Sequence, residues 1–440
     1  MNIDKTKTQN SLTREQKQAV GLLSIGTFLE YFDLMLYVHM AVLLNELFFP
    51  KTDPFTTSLL AAFSFYSTYL LRPIGALIFG YIGDNIGRKQ TVIITTTIMS
   101  ISCIVMANLP TYDQIGMWAV WIITICRIVQ GMSSMGEIIG AELYLTELIQ
   151  SQERYSNVAL LLVSAIFGST IALATAVLTT SFSFDWRMAF WIGALIAIVG
   201  GIARSTLRET PDFICAKKKI NQILARAKGQ DEKKRIIKQN SIWQAKNNSK
   251  TTIAYFLIEC AAPLWLCLTY IYFGNLLKEQ FNLPVATIIK QNFIVCLLEL
   301  GAAITLFFIT KKTHPLNILK TKSILFFIGV LFFPTLLQNI TTPMDIFCIQ
   351  LFIAVVAPTG FPAKSVFYTH FLPLTRFTYS SFIFAASRSI MYAVSSFGVI
   401  LLTNYFGYFG LLIIIIPVII SNGWGVFYFT KLEKEAGNYY

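Results

Sequence analysis

The chain has 440 residues, of which 55% are hydrophobic and 13% are charged, and its formal net charge is +12. Soluble domains carry about 25% charged residues, so this composition excludes an ordinary set of soluble domains. The seven cysteines are scattered along the sequence, a pattern that predicts neither a disulfide framework nor a zinc site. We expect no metal and no cofactor.

Twelve apolar runs follow one another along the chain, each about 17–27 residues long and able to cross a hydrocarbon core of roughly 30 Å. We predict transmembrane helices at 20–46, 57–82, 91–109, 115–141, 156–180, 188–206, 252–274, 285–309, 323–339, 344–365, 377–402 and 405–430. The first run is preceded by a polar segment and is too long for the apolar region of a signal peptide. The sequence therefore predicts no cleavable signal.

Basic residues are concentrated on one side of the predicted helices. With both termini in the cytoplasm, 27 of the 35 Lys and Arg residues fall in cytoplasmic segments and 4 fall outside. Membrane proteins show this bias in their cytoplasmic loops, so we expect both termini to be cytoplasmic. The positive net charge is then a consequence of topology, and no nucleic-acid partner is expected.

The long basic segment in the middle of the chain divides the helices into two sets of six. We predict a cytoplasmic tail (1–19), an N-terminal bundle (20–206), a basic cytoplasmic loop (207–250), a C-terminal bundle (251–430) and a second cytoplasmic tail (431–440).

Ionisable residues occur inside some of the predicted helices and not others. They are Glu30 and Asp33 on helix 1, Arg72 on helix 2, Arg127 and Glu137 on helix 4, Glu259 on helix 7, Glu299 on helix 8, Lys364 on helix 10 and Arg388 on helix 11. An ionised side chain costs roughly 2.5–3.5 kcal/mol at the bilayer centre. Each is therefore expected to face a partner or water, and helices 3, 6, 9 and 12 are expected to carry no interior charge.

Helix 1 carries two carboxylates on one face, because Glu30 and Asp33 are three residues apart. Carboxylates this close disfavour each other's ionised form, so both are candidates for proton exchange. Arg127 is predicted near mid-depth, where its guanidinium could bind Glu30, Asp33 or the carboxylate of a solute. A fixed ion pair that fastens helix 4 to helix 1 is an equally good interpretation.

Charged and aromatic residues of both halves are candidates for a solute-binding cavity. Aromatic rings beside charges suit a cationic or zwitterionic solute through cation–π contacts. The candidates are Tyr31, Arg127, Gln130, Glu259, Trp265, Lys364 and Arg388.

A short glycine-rich, charged turn joins helices 2 and 3. It runs from Gly80 through Asp84, Gly87 and Arg88 to Lys89. A carboxylate so close to hydrocarbon needs a nearby donor or a helix N-terminus. The pattern resembles the signature that the major facilitator superfamily carries between its helices 2 and 3.

Several segments resemble the metabolite–proton symporter branch of that superfamily, which includes the bacterial proline/betaine transporters. They are Gly26–Asp33, Leu71–Ala76, Arg127–Ala141 and Leu207–Pro211. The resemblance covers nearly all of residues 20–215. The second half departs from the branch, because the turn Thr310–Pro315 lacks the usual acid.

The resemblance implies an all-α polytopic membrane protein of twelve transmembrane helices, in two six-helix bundles with inverted three-plus-three repeats. In that fold the first helix of each triplet lines a central cavity, the second lies between the two halves, and the third faces lipid. The interior charges fall on first and second helices alone, in agreement with this arrangement.

The resemblance also implies the function. It indicates a monomeric transporter of the bacterial inner membrane, which moves a small zwitterionic or carboxylate solute (a proline- or betaine-like osmolyte or an organic acid) with protons by alternating access. Glu30 and Asp33 would exchange the proton, with Arg127 as counter-charge or solute anchor. The cytoplasmic gate would be formed by Gly80, Asp84, Gly87, Arg88, Lys89, Glu137 and Arg154.

Two alternatives remain open at this point. A polytopic membrane enzyme would need a catalytic constellation at one membrane face, but the three histidines are far apart in sequence and the long central loop is basic. A diverged carrier that acts as an exchanger or a sensor is the other alternative.

Overall fold

The structure is a computed structural model that describes residues 12–48, 69–149, 153–182, 185–205, 207–210, 213–215, 217–218, 221–222 and 248–439. These residues form helices and connecting turns, and no strand occurs among them. The all-α prediction is confirmed. Part of the second predicted span (57–68) and most of the predicted central loop lie outside the described residues.

Twelve long helices of the described residues follow the order of the twelve predicted spans. The first half contains α1 (Arg14–Phe48), α2 (Arg72–Asn85), α3 (Arg88–Asn108), α4 (Met117–Leu148), α5 (Glu153–Phe182) and α6 (Arg187–Arg204). The second half contains α7 (Ser249–Phe281), α8 (Val285–Ile309), α9 (Pro315–Val330), α10 (Pro343–Val356), α11 (Arg376–Phe406) and α12 (Phe409–Glu435). Within the described ranges, eight of them are long and apolar enough to cross a membrane, and the shorter four are α2, α6, α9 and α10.

α7 is interrupted near its middle. Pro263 has no N–H to donate to the carbonyl of Glu259, and the first segment of α7 ends at that residue. Cys267–Tyr272 then form a π-helical stretch. Such stretches are frequent at functional sites, and this one faces the cavity described below.

α10 is shorter than the predicted tenth span (344–365). It ends at Val356 because Pro358 disfavours a helical conformation of the residue before it. Lys364 begins a separate short helix, Lys364–Thr369, so its assignment to helix 10 is wrong.

α4 continues past its predicted last residue, 141, and α9 begins before its predicted first residue, 323. The extensions place Glu142 and Glu147 within α4 and Lys322 within α9. α9 begins early because Pro315 suits the first turn of a helix and the ring of His314 caps it by accepting from a backbone N–H. The expectation that helix 9 carries no interior charge is therefore wrong.

The packing places the second helix of each triplet between the two halves. α2 packs along α11, and α5 packs along α8. Glycines permit this contact: a Cβ on Gly80 would lie 2.7 Å from Thr378 Cα, and one on Gly83 would lie 2.4 Å from the ring of Phe377. α2 and α11 therefore approach closely along one side of the bundle.

Large apolar side chains cover the outside of the bundle. Leu195 on α6, Phe397 on α11 and Phe427 on α12 are 64%, 64% and 69% exposed. A contiguous apolar surface of this kind is stable in lipid, where helices satisfy their own backbone hydrogen bonds. The structure thus agrees with a multi-pass membrane protein.

Replacing Gly75 with Ala tests the close packing of α2 on α4. The new Cβ would lie 2.5 Å from the carbonyl oxygen of Met132 and 2.6 Å from its Cα, so no side-chain rotation can relieve the clash. We expect a loss of about 1–3 kcal/mol, measured as a lower midpoint of thermal unfolding in detergent. Gly21→Ala is the matched control, because its Cβ would meet nothing within 4 Å. Equal midpoints for the two variants would contradict this packing.

Candidate functional site

A cavity of about 820 Å³ lies between the two halves. Its wall includes Tyr31 and Arg72 from the first half and Trp265, Glu299 and Arg388 from the second. Pockets for small molecules measure roughly 300–1,000 Å³. The cavity is therefore large enough for a small solute and is charged on both sides.

Asp33 and Arg127 form a buried ion pair that joins α1 to α4. Arg127 Nη1 lies 3.3 Å from Asp33 Oδ2, and Gln130 Nε2 donates to Asp33 Oδ1 at 3.1 Å. Gln130 Oε1 also accepts from Arg127 Nη1 at 2.9 Å, and the thiol of Cys103 lies 3.7 Å from Asp33 Oδ1. Asp33 is thus the carboxylate that Arg127 binds in this state.

Glu30 lies one turn from Asp33 and is only 3% exposed. Its Oε2 has no hydrogen-bond partner among the residues that the structure describes. The charges that act on it are Arg72 first, and then Asp33, Glu137 and Arg127. A buried carboxylate that is incompletely hydrogen-bonded is costly when ionised, so Glu30 is suited to exchange a proton.

Glu259 binds two cations at the break in α7. Lys364 Nζ lies 2.6 Å from Glu259 Oε1, and Arg388 Nη1 lies 3.0 Å from Glu259 Oε2. Gly360 makes room for this group, because a Cβ there would lie 2.6 Å from Glu259 Oε1. The three ionised side chains carry one net positive charge, and Arg388 presents it to the cavity.

Hydrogen bonds fix two aromatic residues of α7 at the cavity wall. Trp265 Nε1 donates to the carbonyl of Pro358 at 2.7 Å, and Tyr270 Oη donates to Glu299 Oε2 at 2.8 Å. Lys322 on α9 lines the same part of the wall. Glu299 therefore has a hydrogen-bond donor and a cation nearby, and this part of the wall is close to neutral.

The carboxylate of Asp84 binds the N-terminus of α11 in the other half. Asp84 Oδ2 accepts from the backbone N–H and the hydroxyl of Thr378, both at 2.8 Å, and Oδ1 accepts from the N–H of Phe377 at 3.2 Å. Free N–H groups and the dipole make a helix N-terminus a site for an anion. The donor that the sequence required for Asp84 is thus the start of α11.

Arg88 connects Asp84 to further groups of both halves. Its guanidinium contacts Asp84 Oδ1 at 3.1 Å and Glu147 Oε1 at 3.2 Å, and it donates to the carbonyl of Pro373 at 2.6 Å. Arg376, the first residue of α11, also binds Glu147 Oε1 at 3.1 Å. We call Asp84, Arg88, Glu147 and Arg376 the inter-half cluster.

The segment after α6 forms hydrogen bonds with two members of the inter-half cluster. Thr210 Oγ1 donates to Glu147 Oε2 at 2.7 Å, and Glu209 Oε1 accepts from the backbone N–H of Arg88 at 3.0 Å. Gly87 has a φ of +149°, and a Cβ there would lie 2.0 Å from Glu209 Oε2. Glu209 and Thr210 of this motif thus contact the turn between α2 and α3 and Glu147 of α4, respectively.

A second link between the halves lies deeper in the bundle. The hydroxyl of Tyr368 donates to Glu142 Oε2, and it lies 3.3 Å from the hydroxyl of Tyr255 on α7. All three residues are 2% exposed or less. The two halves are therefore closed against each other over at least two layers at this end of the bundle.

The predicted gate residues are not all brought together. Lys89 contributes its backbone N–H to Glu209, at 3.3 Å, rather than a charge to the inter-half cluster. Glu137 accepts from the hydroxyls of Thr95 and Thr96 on α3, at 3.3 and 2.7 Å. The guanidinium of Arg154 lies 5.1 Å from the ring of its neighbour Tyr155.

The predicted solute-site residues form two layers. Tyr31, Trp265 and Arg388 line the cavity, whereas Arg127, Gln130, Glu259 and Lys364 are buried behind its wall. Glu142 and Arg376 were not predicted as site residues from the sequence. Glu142 and Glu147 are five residues apart, so they do not lie on one face of α4, and the spacing of the Arg127 motif does not indicate them.

Comparison with known proteins agrees with this architecture. Residues 19–295 match the family model described as "Sugar (and other) transporter". The chain is 34% identical over 206 residues to the "Proline/betaine transporter" of Escherichia coli (strain K12), a match that covers 45% of this chain and 41% of that protein. It is 36% identical over 220 residues to a "Putative metabolite transport protein" of Haemophilus influenzae, covering 48% of each. The matched segments thus span less than half of these relatives.

The fold is also that of a solved transporter structure. The proton:xylose symporter XylE, of the major facilitator superfamily, superposes with a TM-score of 0.74 over 96% of this chain and 95% of that one, at 15% sequence identity. The predicted fold class is confirmed by this similarity. The relatives above are described as transport proteins, which argues against the membrane-enzyme alternative. The chain belongs to the Sugar (and other) transporter family and has the major facilitator superfamily fold.

Proposed function

We propose that this protein is a proton-coupled symporter of a small zwitterionic or carboxylate solute, in the inner membrane of a bacterium. The observation that carries this proposal is the inter-half cluster, which closes one end of the bundle beyond a charged central cavity. The termini are cytoplasmic in this proposal, so the inter-half cluster lies at the cytoplasmic end of the bundle.

The inter-half cluster is suited to a gate because its bonds are made between the two halves. Opening this end separates Asp84 from α11 and Glu147 from Arg376. Breaking one buried charged pair costs about 3–5 kcal/mol when one partner is left unpaired. Exposure to water at the open end offsets this cost, so two states of similar free energy are accessible to one chain.

Proton exchange is assigned to Glu30 and Asp33 on α1. Both are buried, and both lie on the side of α1 that faces the charges of α2 and α4. Protonation of Asp33 removes the charge that holds Arg127, and the freed guanidinium then rearranges with its neighbour Gln130. Proton occupancy is thereby linked to the contact between α1 and α4.

The solute class is supported by the relatives and by the cavity. Proline and betaine, named for the relative in Escherichia coli, are zwitterions. The cavity wall offers aromatic rings, one carboxylate and several cations. An exchanger that moves no net proton is the second candidate, and counterflow without a pH gradient distinguishes it from a symporter.

Replacing Arg88 with Gln is expected to open the cytoplasmic end. A cysteine at Ser381, a buried position of α11, reports this opening by its rate of reaction with a membrane-impermeant maleimide. The exposed Cys215 and Cys348 are first replaced with Ser. We expect the rate to rise about tenfold or more, since about 1.4 kcal/mol of lost closing energy shifts the equilibrium tenfold.

Lys89→Gln is the matched control for this measurement. It removes a neighbouring cation while its backbone N–H, the contact that Lys89 makes with Glu209, is retained. The variant should react as slowly as the parent protein. Equal rates in the Arg88 variant and the parent would show that the inter-half cluster is not a gate.

Replacing Asp33 with Asn is expected to abolish uptake driven by a pH gradient while leaving expression intact, because an amide cannot carry the proton. The measurement is uptake of labelled proline, betaine, citrate and other organic acids into proteoliposomes with an acidic exterior. Arg14→Gln is the control, since Arg14 is exposed at the first residue of α1 and does not line the cavity. Undiminished uptake by the Asp33 variant, accompanied by a proton signal, would refute the assignment.

A further inference from the structure

Arg72 differs from the other buried cations of the described residues in having no ion-pair partner. It is 2% exposed, and no carboxylate of a described residue lies within salt-bridge distance of it. Its Nε has no hydrogen-bond partner, and its Cζ lies 4.5 Å from the centre of the Tyr69 ring. Arg88, Arg127 and Lys364 each bind a carboxylate directly. An unpaired guanidinium at a cavity wall is a site for an anion.

Arg388 reaches the same region of the cavity from the opposite half. It shares Glu259 with Lys364, so that one carboxylate balances two cations. Its Cζ lies 3.3 Å from the centre of the Phe384 ring, and both residues line the cavity. The second half therefore also presents uncompensated positive charge.

The two guanidinium groups share tyrosine neighbours. Tyr31 and Tyr392 line the cavity together with both Arg72 and Arg388. The rings of Tyr69 and Tyr392 are 4.1 Å apart, and they continue the wall from Arg72 towards the second half. Arg72 and Arg388 thus flank one tyrosine-lined part of the cavity.

We propose that Arg72 and Arg388 together bind the carboxylate of the transported solute, one from each half of the protein. Guanidinium groups suit this task because they bind carboxylates with two parallel hydrogen bonds. Tyr31 supplies a neutral hydroxyl donor at the same place. The proposal rests on the proposed function and specifies where the solute's anionic group is bound.

Glu30 makes this site sensitive to protons. The charged groups around Glu30 are Arg72 from α2, Asp33 from its own helix, and Glu137 and Arg127 from α4. When Glu30 is ionised it offsets the charge of Arg72 and repels an entering carboxylate. When Glu30 is protonated, Arg72 is available to the solute. Proton and solute therefore favour each other's binding at one site.

The position of the site explains how solute binding is linked to the movement of the two halves. Arg72 is the first residue of α2, and Arg388 lies on α11, the helix along which α2 packs. A carboxylate held by both residues draws the halves together around the cavity and offsets the repulsion between the two cations. The solute then stabilises an occluded state through interactions that the empty cavity lacks.

Binding to the purified full-length protein in detergent tests this site. The probes are glycine betaine and proline, with choline, pyrrolidine and xylose as solutes without a carboxylate, and the readout is the shift in thermal unfolding midpoint with solute concentration. We expect a carboxylate probe to bind and the others to fail. Arg72→Gln and Arg388→Gln should each weaken binding about tenfold or more, and Arg14→Gln, a change at an exposed residue, should leave it unchanged.

Two further variants keep the test decisive if Arg72→Gln does not fold. Arg72→Lys keeps the charge but loses the bidentate geometry, and it should bind the carboxylate probe more weakly while remaining folded. The parent protein should bind the carboxylate probe more tightly as pH falls. The Glu30→Gln variant should lose this pH dependence and should still bind the probe well at alkaline pH. Binding of the carboxylate that survives in both Arg variants would overturn the site, as would failure of every carboxylate probe to bind.

The failure of this site and the failure of symport are distinguishable. Proton-coupled uptake of choline or xylose by the same protein would leave symport standing and would overturn the carboxylate site. Conversely, carboxylate binding that depends on Arg72 and Arg388, without any uptake in proteoliposomes, would support the site and contradict the proposed function.

Discussion

A charge inside a bilayer must find its partner within the protein, and this constraint organises the whole structure. Lipid supplies neither hydrogen bonds nor counter-ions, so an unpaired ionic group costs several kcal/mol. The described charges accordingly lie at helix contacts: Asp33 with Arg127, Glu259 with Lys364 and Arg388, and Asp84 with the start of α11. The outer faces of α6, α11 and α12 carry apolar side chains instead.

The paired charges divide into two kinds according to which helices they join. Asp33 and Arg127 join two helices of one half, and Glu259 and Lys364 lie together in the other half, so these pairs hold each bundle as a unit. The inter-half cluster joins the two bundles and must break when they separate. Arg72 belongs to neither kind, and its lack of a carboxylate partner within the described residues gives the cavity a place for a solute's charge.

The sequence was sufficient for the fold, because apolar runs, basic loops and helical spacing are local signals, but it left Glu30, Asp33 and a solute carboxylate open as partners of Arg127. It required a donor or a helix N-terminus for Asp84 but could not name α11, since that contact joins residues about 290 positions apart. Lys364 was placed on the wrong element because Pro358 and Pro362 end α10 early. Glu142 and Arg376 were missed because their partners lie in the other half, and no local pattern specifies such contacts.

In the proposed transporter, proton movement and solute movement are linked through charges buried around one cavity. This linkage is tested by recording lumenal pH and solute entry at the same time in proteoliposomes, with the membrane potential clamped and no initial pH gradient. The lumen should acidify as the solute enters, at a fixed ratio of protons to solute. Solute entry at an unchanged lumenal pH would show that the two movements are independent.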